Sequence, residues 1–156
     1  MQVVSALAKS GLPAQRLELE VTERLLLEDS DGTLAAMEQL KNLGVGISLD
    51  DFGTGYSSLN YLRKFPFQKI KIDQSFVRGL EGEERDAQAI IGAVAGLGAN
   101  LDKTVVAEGV ETEEQMRQVR AHGCHEGQGH FFGEPMSAET IRRRLEASTT
   151  AAQLVA

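Results

Sequence analysis

The chain has 156 residues, 42% hydrophobic and 25% charged, enough for one ordinary domain with a sizeable core. A net charge of −7 excludes a general affinity for DNA or RNA backbones, but not for a small anionic ligand held through metal ions. The single cysteine, Cys124, allows no internal disulfide; with no membrane-spanning run and no signal peptide visible, a cytoplasmic setting is expected.

Residues 2–10 read as a helix closed by Gly11, with Leu12 and Pro13 blocking continuation. Residues 17–22 alternate Leu, Glu, Leu, Glu, Val, Thr, a strand pattern ending near Glu20, with Glu23 three residues on. Residues 30–43 carry a capping serine and apolar positions at Leu34, Met37, Leu40 and Leu43, which spell a helix ended by Gly44. The apolar, β-prone run 45–49 then stops abruptly at Asp50 and Asp51. A loop with Gly53 and Gly55 leads to a helix start at Ser57 and Ser58, and that helix is stopped by Pro66.

Residues 68–72 form the next strand, ending in Lys71-Ile72-Asp73, where Asp73 either lines a site or fixes the following turn. A polar connector at 81–84 precedes a long helix rich in small residues over 85–101. The β-branched strand 104–107 runs into Glu108-Gly109-Val110-Glu111, and Thr112 caps a helix reaching about His122. A short segment reaches Gln128 and Gly129, Pro135 breaks the chain, and a last helix covers 138–147. Residues 1–148 are expected to form one partial domain and 149–156 a frayed tail.

Strands alternating with helices predict βα units and a parallel sheet. A polar or charged residue closes each strand at Glu20, Asp50, Lys71, Glu108 and Gln128, spaced 30, 21, 37 and 20 residues apart. That collection at C-terminal strand ends predicts a TIM-type (β/α)8 barrel, here incomplete with about five units. A doubly wound sheet competes, but it calls for a phosphate loop after the first strand, where Glu20-Val-Thr-Glu23 is acidic.

The chemistry-bearing set is therefore Glu20, Asp50, Asp51, Lys71 and Glu108, with Gln128 and Glu111 nearby. Adjacent acids on a loop are commonly just solvated; four carboxylates at one mouth instead call for cations between them. Oxygen ligands favour hard ions, and two metal ions clamping a phosphate are a recurrent use of such a cluster. Lys71 would stabilise developing negative charge beside them. The three histidines are not at metal-ligand spacing.

Glu20-Val-Thr-Glu23, Asp50-Asp-Phe-Gly-Thr-Gly-Tyr56, Lys71-Ile-Asp-Gln-Ser-Phe-Val77, Val105-Val-Ala-Glu-Gly-Val-Glu-Thr112 and Gln128-Gly129 resemble, in order, the motifs of bacterial EAL domains. Those are magnesium- or manganese-dependent barrels that linearise cyclic di-GMP to pGpG. The resemblance implies Glu20, Asp50 and Asp51 as metal ligands, and Glu108 as a second-metal ligand or water-activating group. It implies Lys71 as the catalytic lysine, Glu23 as the anchor of the loop 52–56, and Glu111 and Gln128 as site-lining residues. Two departures accompany it. The Glu-Ala-Leu strand and a ligating Asn on the next strand precede the start of this chain, and His125 and His130 stand where Asp and Tyr are common.

The expected function is a cyclic di-GMP phosphodiesterase. The alternatives are a receptor that binds without cleaving and a protein-interaction module. Self-association, or completion by another chain, is expected, with very weak or no hydrolysis by this chain alone. An interior barrel face lined by Val45 or Ile47, Ile70 and Val105 is also expected.

Overall fold

The computed structural model describes residues 2–28, 30–54, 59–82 and 85–153. The expected helix start at Ser57 and Ser58, with Gly55 and Tyr56 before it, lies outside them, as do residues 83–84 of the polar connector.

Alternation of apolar and polar residues over Glu18–Thr22 makes β1, and α1 (Gln2–Ser10) precedes it. Two helices, α2 (Glu23–Glu28) and α3 (Ser30–Asn42), lead to β2 (Gly46–Phe52). Helix α4 (Leu59–Lys64), β3 (Lys69–Ile72), α5 (Gln74–Gly79) and α6 (Arg85–Asn100) follow. The order then runs β4 (Thr104–Ala107), α7 (Glu113–Ala121), β5 (Glu126–Gly127) and α8 (Ala138–Gln153), the last helix passing the expected end near Ala147.

Two short helices had no counterpart in the sequence reading. Helix α2 starts at Glu23, immediately after β1, and α5 starts where Asp73 Oδ1 accepts the Ser75 N–H at 2.9 Å. Asp73 is thus a helix cap, the turn-fixing alternative. At α7 the capping is reciprocal: Thr112 Oγ1 accepts from Gln115 N (3.2 Å), and Gln115 Oε1 accepts from Thr112 N (3.1 Å) and Glu111 N (2.7 Å).

All five strands pair in parallel and in sequence order, β1-β2-β3-β4-β5. A doubly wound sheet reverses strand order at a switch point; this one does not, and it forms consecutive barrel-type units.

The two faces of the sheet differ in chemistry. Ile47, Leu49, Ile70, Ile72, Val105 and Ala107 point to one face and form a single buried cluster with Leu26, Met37, Ile91 and Val119 from the helices and Phe65 just past α4. The expected interior position of Ile47, Ile70 and Val105 is therefore wrong: they face the helices. On β2 and β3 they alternate with Ser48, Lys69 and Lys71, on β4 Val106 takes the opposite face beside Lys71, and the helices cover the side that carries the apolar cluster. The opposite face carries Glu18, Glu20, Ser48, Asp50, Lys69 and Lys71, with Glu20, Ser48 and Lys69 in register across three strands. At its lower level Lys69 Nζ reaches Glu126 (2.9 Å) and Glu18 (3.3 Å), tying β5 and β1 to β3 across the strands between.

Two core details carry predictions. Gly129 (φ +155°) packs so closely that an added Cβ would lie 2.2 Å from the Val110 carbonyl oxygen, in a segment tied by the Val110 N–H to Gln128 O at 3.0 Å. Gly129→Ala should force the two backbones apart and cost more than the ~1–3 kcal/mol of backbone strain alone, read as a fall in thermal midpoint. Cys124 is buried, and burial pushes its thiol up to about 11. An unfolded thiol loses its proton near pH 9, before the folded one, so this group withdraws stability as pH rises from about 9 towards 11. Iodoacetamide at pH 8 should label Cys124 slowly in the native chain and rapidly in denaturant; equal rates would contradict its burial.

Candidate metal and phosphodiester centre

The apolar run of β2 ends in two carboxylates, which on a regular strand would point to opposite faces. The register between β2 and β3 shifts between Leu49 and Phe52, and Asp51 takes φ +54°. This irregularity turns the adjacent acids towards one place: Asp50, Asp51 and Glu108 each offer an oxygen, all within 4.8 Å of one another. The turn beyond is pinned by Thr54 Oγ1, which donates to Asp51 O at 2.9 Å. Gly53 (φ +100°) lies flat on Phe76 of α5, where a Cβ would stand 2.9 Å from the ring.

Lys71, on β3, is the hub. Its side chain is 5% exposed, and Nζ contacts Glu20 Oε1 at 2.5 Å, Glu108 Oε1 at 2.6 Å and Asp50 Oδ1 at 3.2 Å. Burial works against its charge, but the ion pairs with Glu108, Glu20 and Asp50 outweigh it and hold the ammonium above the ordinary lysine range. One cation divided among three anions leaves each acid only partly compensated. Burial accordingly raises the Glu108 carboxyl despite Lys71, and burial with Asp50 and Asp73 nearby raises that of Asp51.

Glu20, Asp50, Asp51 and Glu108 against Lys71 leave a formal charge of −3, four acids and one base. Asp50 Oδ1 is also buried without a hydrogen bond among the described residues. Its 3.2 Å approach to Lys71 is a charge contact lacking hydrogen-bond direction. An all-oxygen donor set carrying a formal charge of −3 fits a hard divalent cation.

The remaining predicted residues lie around this centre. Glu20 joins through Lys71 rather than through the three-acid group. Glu23 opens α2, and its Oε2 is buried with no hydrogen-bond partner among the described residues. Glu111 and Gln128 are exposed on adjoining loops, Glu111 Oε1 3.9 Å from Arg78 Nη2. His125 does structural work: its Nδ1 accepts the Val105 N–H at 3.1 Å. His130 lies 3.7 Å from Glu134, away from the acids. The sequence reading passed over Ser48 and Lys69, although their two-residue spacing from Asp50 and Lys71 placed them on the same face.

The EAL domain family model matches residues 1–135, and the chain belongs to that family. Over 139 residues it is 47% identical to the bifunctional diguanylate cyclase/cyclic di-GMP phosphodiesterase MucR of Pseudomonas aeruginosa, covering 89% of this chain and 20% of MucR. The solved PaMucR phosphodiesterase–c-di-GMP complex superposes with a TM-score of 0.84 at 46% identity, over 89% of this chain and 56% of that one. BlrP1 of Klebsiella pneumoniae, solved with manganese and cyclic di-GMP, gives 0.80 at 34% identity over 86% of this chain and 34% of that one. BlrP1 is also solved with calcium and the same dinucleotide. The chain spans 17–21% of the length of the curated relatives it matches. Among the described residues, no helix is long and apolar enough to cross a membrane.

Proposed function

We propose that this chain supplies the metal-holding and lysine-bearing wall of a cyclic di-GMP phosphodiesterase site. The convergence of Asp50, Asp51 and Glu108 beside the enclosed Lys71 carries the reading. Asp50, Asp51, Glu108 and Glu20 would hold magnesium or manganese, two ions in the full site; when bound, such ions polarise the phosphate and favour ionisation of water.

In the reaction the oxygen of a water bonds to phosphorus, the bond from phosphorus to one 3′ oxygen breaks, and that oxygen leaves with a proton as pGpG forms. Glu108 accepts the proton that the water gives up. Lys71, kept charged by three carboxylates, offsets the negative charge that builds on the phosphate oxygens and does not act as a base. Glu111 and Gln128 form the rim against which the nucleotide lies. Glu23 anchors the loop after Asp51. Glu23→Ala should raise amide exchange at Gly53 and Thr54 and weaken manganese binding with little change in thermal midpoint; an unchanged loop would remove this role.

Among the described residues β1 pairs only with β2 and β5 only with β4. We place the opposite wall on strands that pair with these edges, from the same or another chain. Calorimetry with cyclic di-GMP and calcium, then turnover to pGpG with magnesium or manganese, tests the function. Binding without turnover in a completed barrel would make it a receptor, and no binding with any ion would leave an interaction module. Light scattering on the eluting chain reads self-association.

A further inference from the structure

Two buried polar atoms on one strand stand without a hydrogen bond among the described residues. Ser48 is 0% exposed, and its Oγ has no partner among the described residues. Two residues on, Asp50 Oδ1 is enclosed and equally without one. Residues two apart on a strand share a face, with their β-carbons about 6.6 Å apart. Side chains at that spacing are within reach of one bridging water, which would bond each at about 2.8 Å. The surroundings are polar enough to keep a water: Glu20 on β1 and Lys69 on β3 flank Ser48 in register, and Lys71 Nζ lies 3.2 Å from the same Asp50 oxygen. Neither flanking side chain hydrogen-bonds Ser48 Oγ. Glu20 Oε1 bonds Lys71, and Lys69 Nζ turns away to Glu126 and Glu18.

We propose that Ser48 and Asp50 share one buried water, and that through it Ser48 is a positioning residue for the metal-ligating carboxylate. Ser48 donates to the water, the water donates to Asp50 Oδ1, and the other carboxylate oxygen is left for the ion. The arrangement fixes the Asp50 rotamer from below while Lys71 supplies charge from the side. Buried hydroxyls and carboxylates in folded proteins find a partner in the large majority of cases, and a water serves both here. The positioning role rests on Asp50 being a ligand; the water itself does not.

The test uses Ser48→Ala, Ser48→Val and Ser48→Thr beside the unaltered chain, with manganese titrated by electron paramagnetic resonance and metal-free crystals taken to high resolution. Expected are density between Ser48 Oγ and Asp50 Oδ1 in the unaltered chain, its loss in Ser48→Val, and a roughly tenfold weaker manganese affinity in that variant. Ser48→Ala should show a smaller loss without a lower thermal midpoint, and Ser48→Thr should restore affinity by returning the hydroxyl. If Ser48→Val does not fold, the Ala and Thr pair decides. No density at that place overturns the water. Equal manganese affinity in Ser48→Ala and the unaltered chain overturns the positioning role. An unaltered chain that binds no manganese overturns the metal reading and the positioning role together.

Discussion

Replacing Lys71 with methionine should abolish most turnover in a completed site and destabilise the metal-free chain, while leaving the chain able to bind manganese. The side chain is 5% exposed and lies within 3.2 Å of Glu20, Asp50 and Glu108. Methionine keeps the length and apolar stem but leaves three carboxylates facing each other without a cation. Removing one partner of a buried ion pair costs roughly 3–5 kcal/mol. The cost here falls towards the lower end, because the Glu20 side chain is 50% exposed and can turn to water. A divalent ion then becomes the only neutralising group, so the rise in thermal midpoint on adding manganese should be larger in the variant. Turnover should fall by about 10²–10³-fold, the usual loss of a positioned donor to developing oxyanion charge. A variant that cannot bind manganese would make Lys71 structural. One that keeps full turnover would remove it from the chemistry.

How far the sequence reaches can be judged element by element. The strands β1 to β4 were legible because each alternates or runs apolar between clear breakers, and the helix starting at Glu113 announces itself through Thr112. The sheet order follows from consecutive βα units. Which face was the interior was not read correctly, yet the signal was present. Glu18 and Glu20, like Lys69 and Lys71, are two residues apart, so the charged face and the apolar face were already separated. Assigning Ile47, Ile70 and Val105 to the barrel interior took the general picture of an apolar interior over the local alternation. The helices α2 and α5 are six residues each, too short for a periodic pattern. The Asp73-Gln-Ser75 cap was the one available cue for α5.

The site was legible as a list and illegible as a geometry. Nothing in Leu-Asp-Asp-Phe states that the strand breaks register, and without the break one of the two acids points away from the centre. The hub role of Lys71 was likewise hidden, because β3 brings it between strands that lie 51 residues upstream and 37 downstream along the chain, at Glu20 and Glu108. Pairing of distant strands, not local pattern, sets that distance. That Ser48 Oγ and Glu23 Oε2 are buried without a partner among the described residues is also a tertiary fact, since burial of a hydroxyl or carboxylate oxygen depends on what closes over it.

Asp51→Asn should remove the response to divalent ions while leaving the backbone as it is. Asp51 holds φ +54°, a conformation that costs most residues energy and that Asn, like Asp, tolerates. The amide therefore preserves the break in register and the turn that Thr54 pins at 2.9 Å, and takes away only the charge. Asp51→Ala removes the charge and strains the turn as well, so the two variants separate chemistry from shape. With Asp51 neutral, two acids of the group remain, Asp50 and Glu108, and both already share Lys71. Manganese affinity should fall by more than the roughly 10–100-fold that changes behind a ligand cost. The thermal midpoint without metal should stay level or rise slightly, because burial and the neighbouring acids raise the Asp51 carboxyl and its charge is therefore unfavourable in the fold. The ion-induced rise in that midpoint should disappear. Asp51→Asn retaining both manganese affinity and the thermal response would show that the ion, where it binds, is held by Glu20, Asp50 and Glu108 without Asp51.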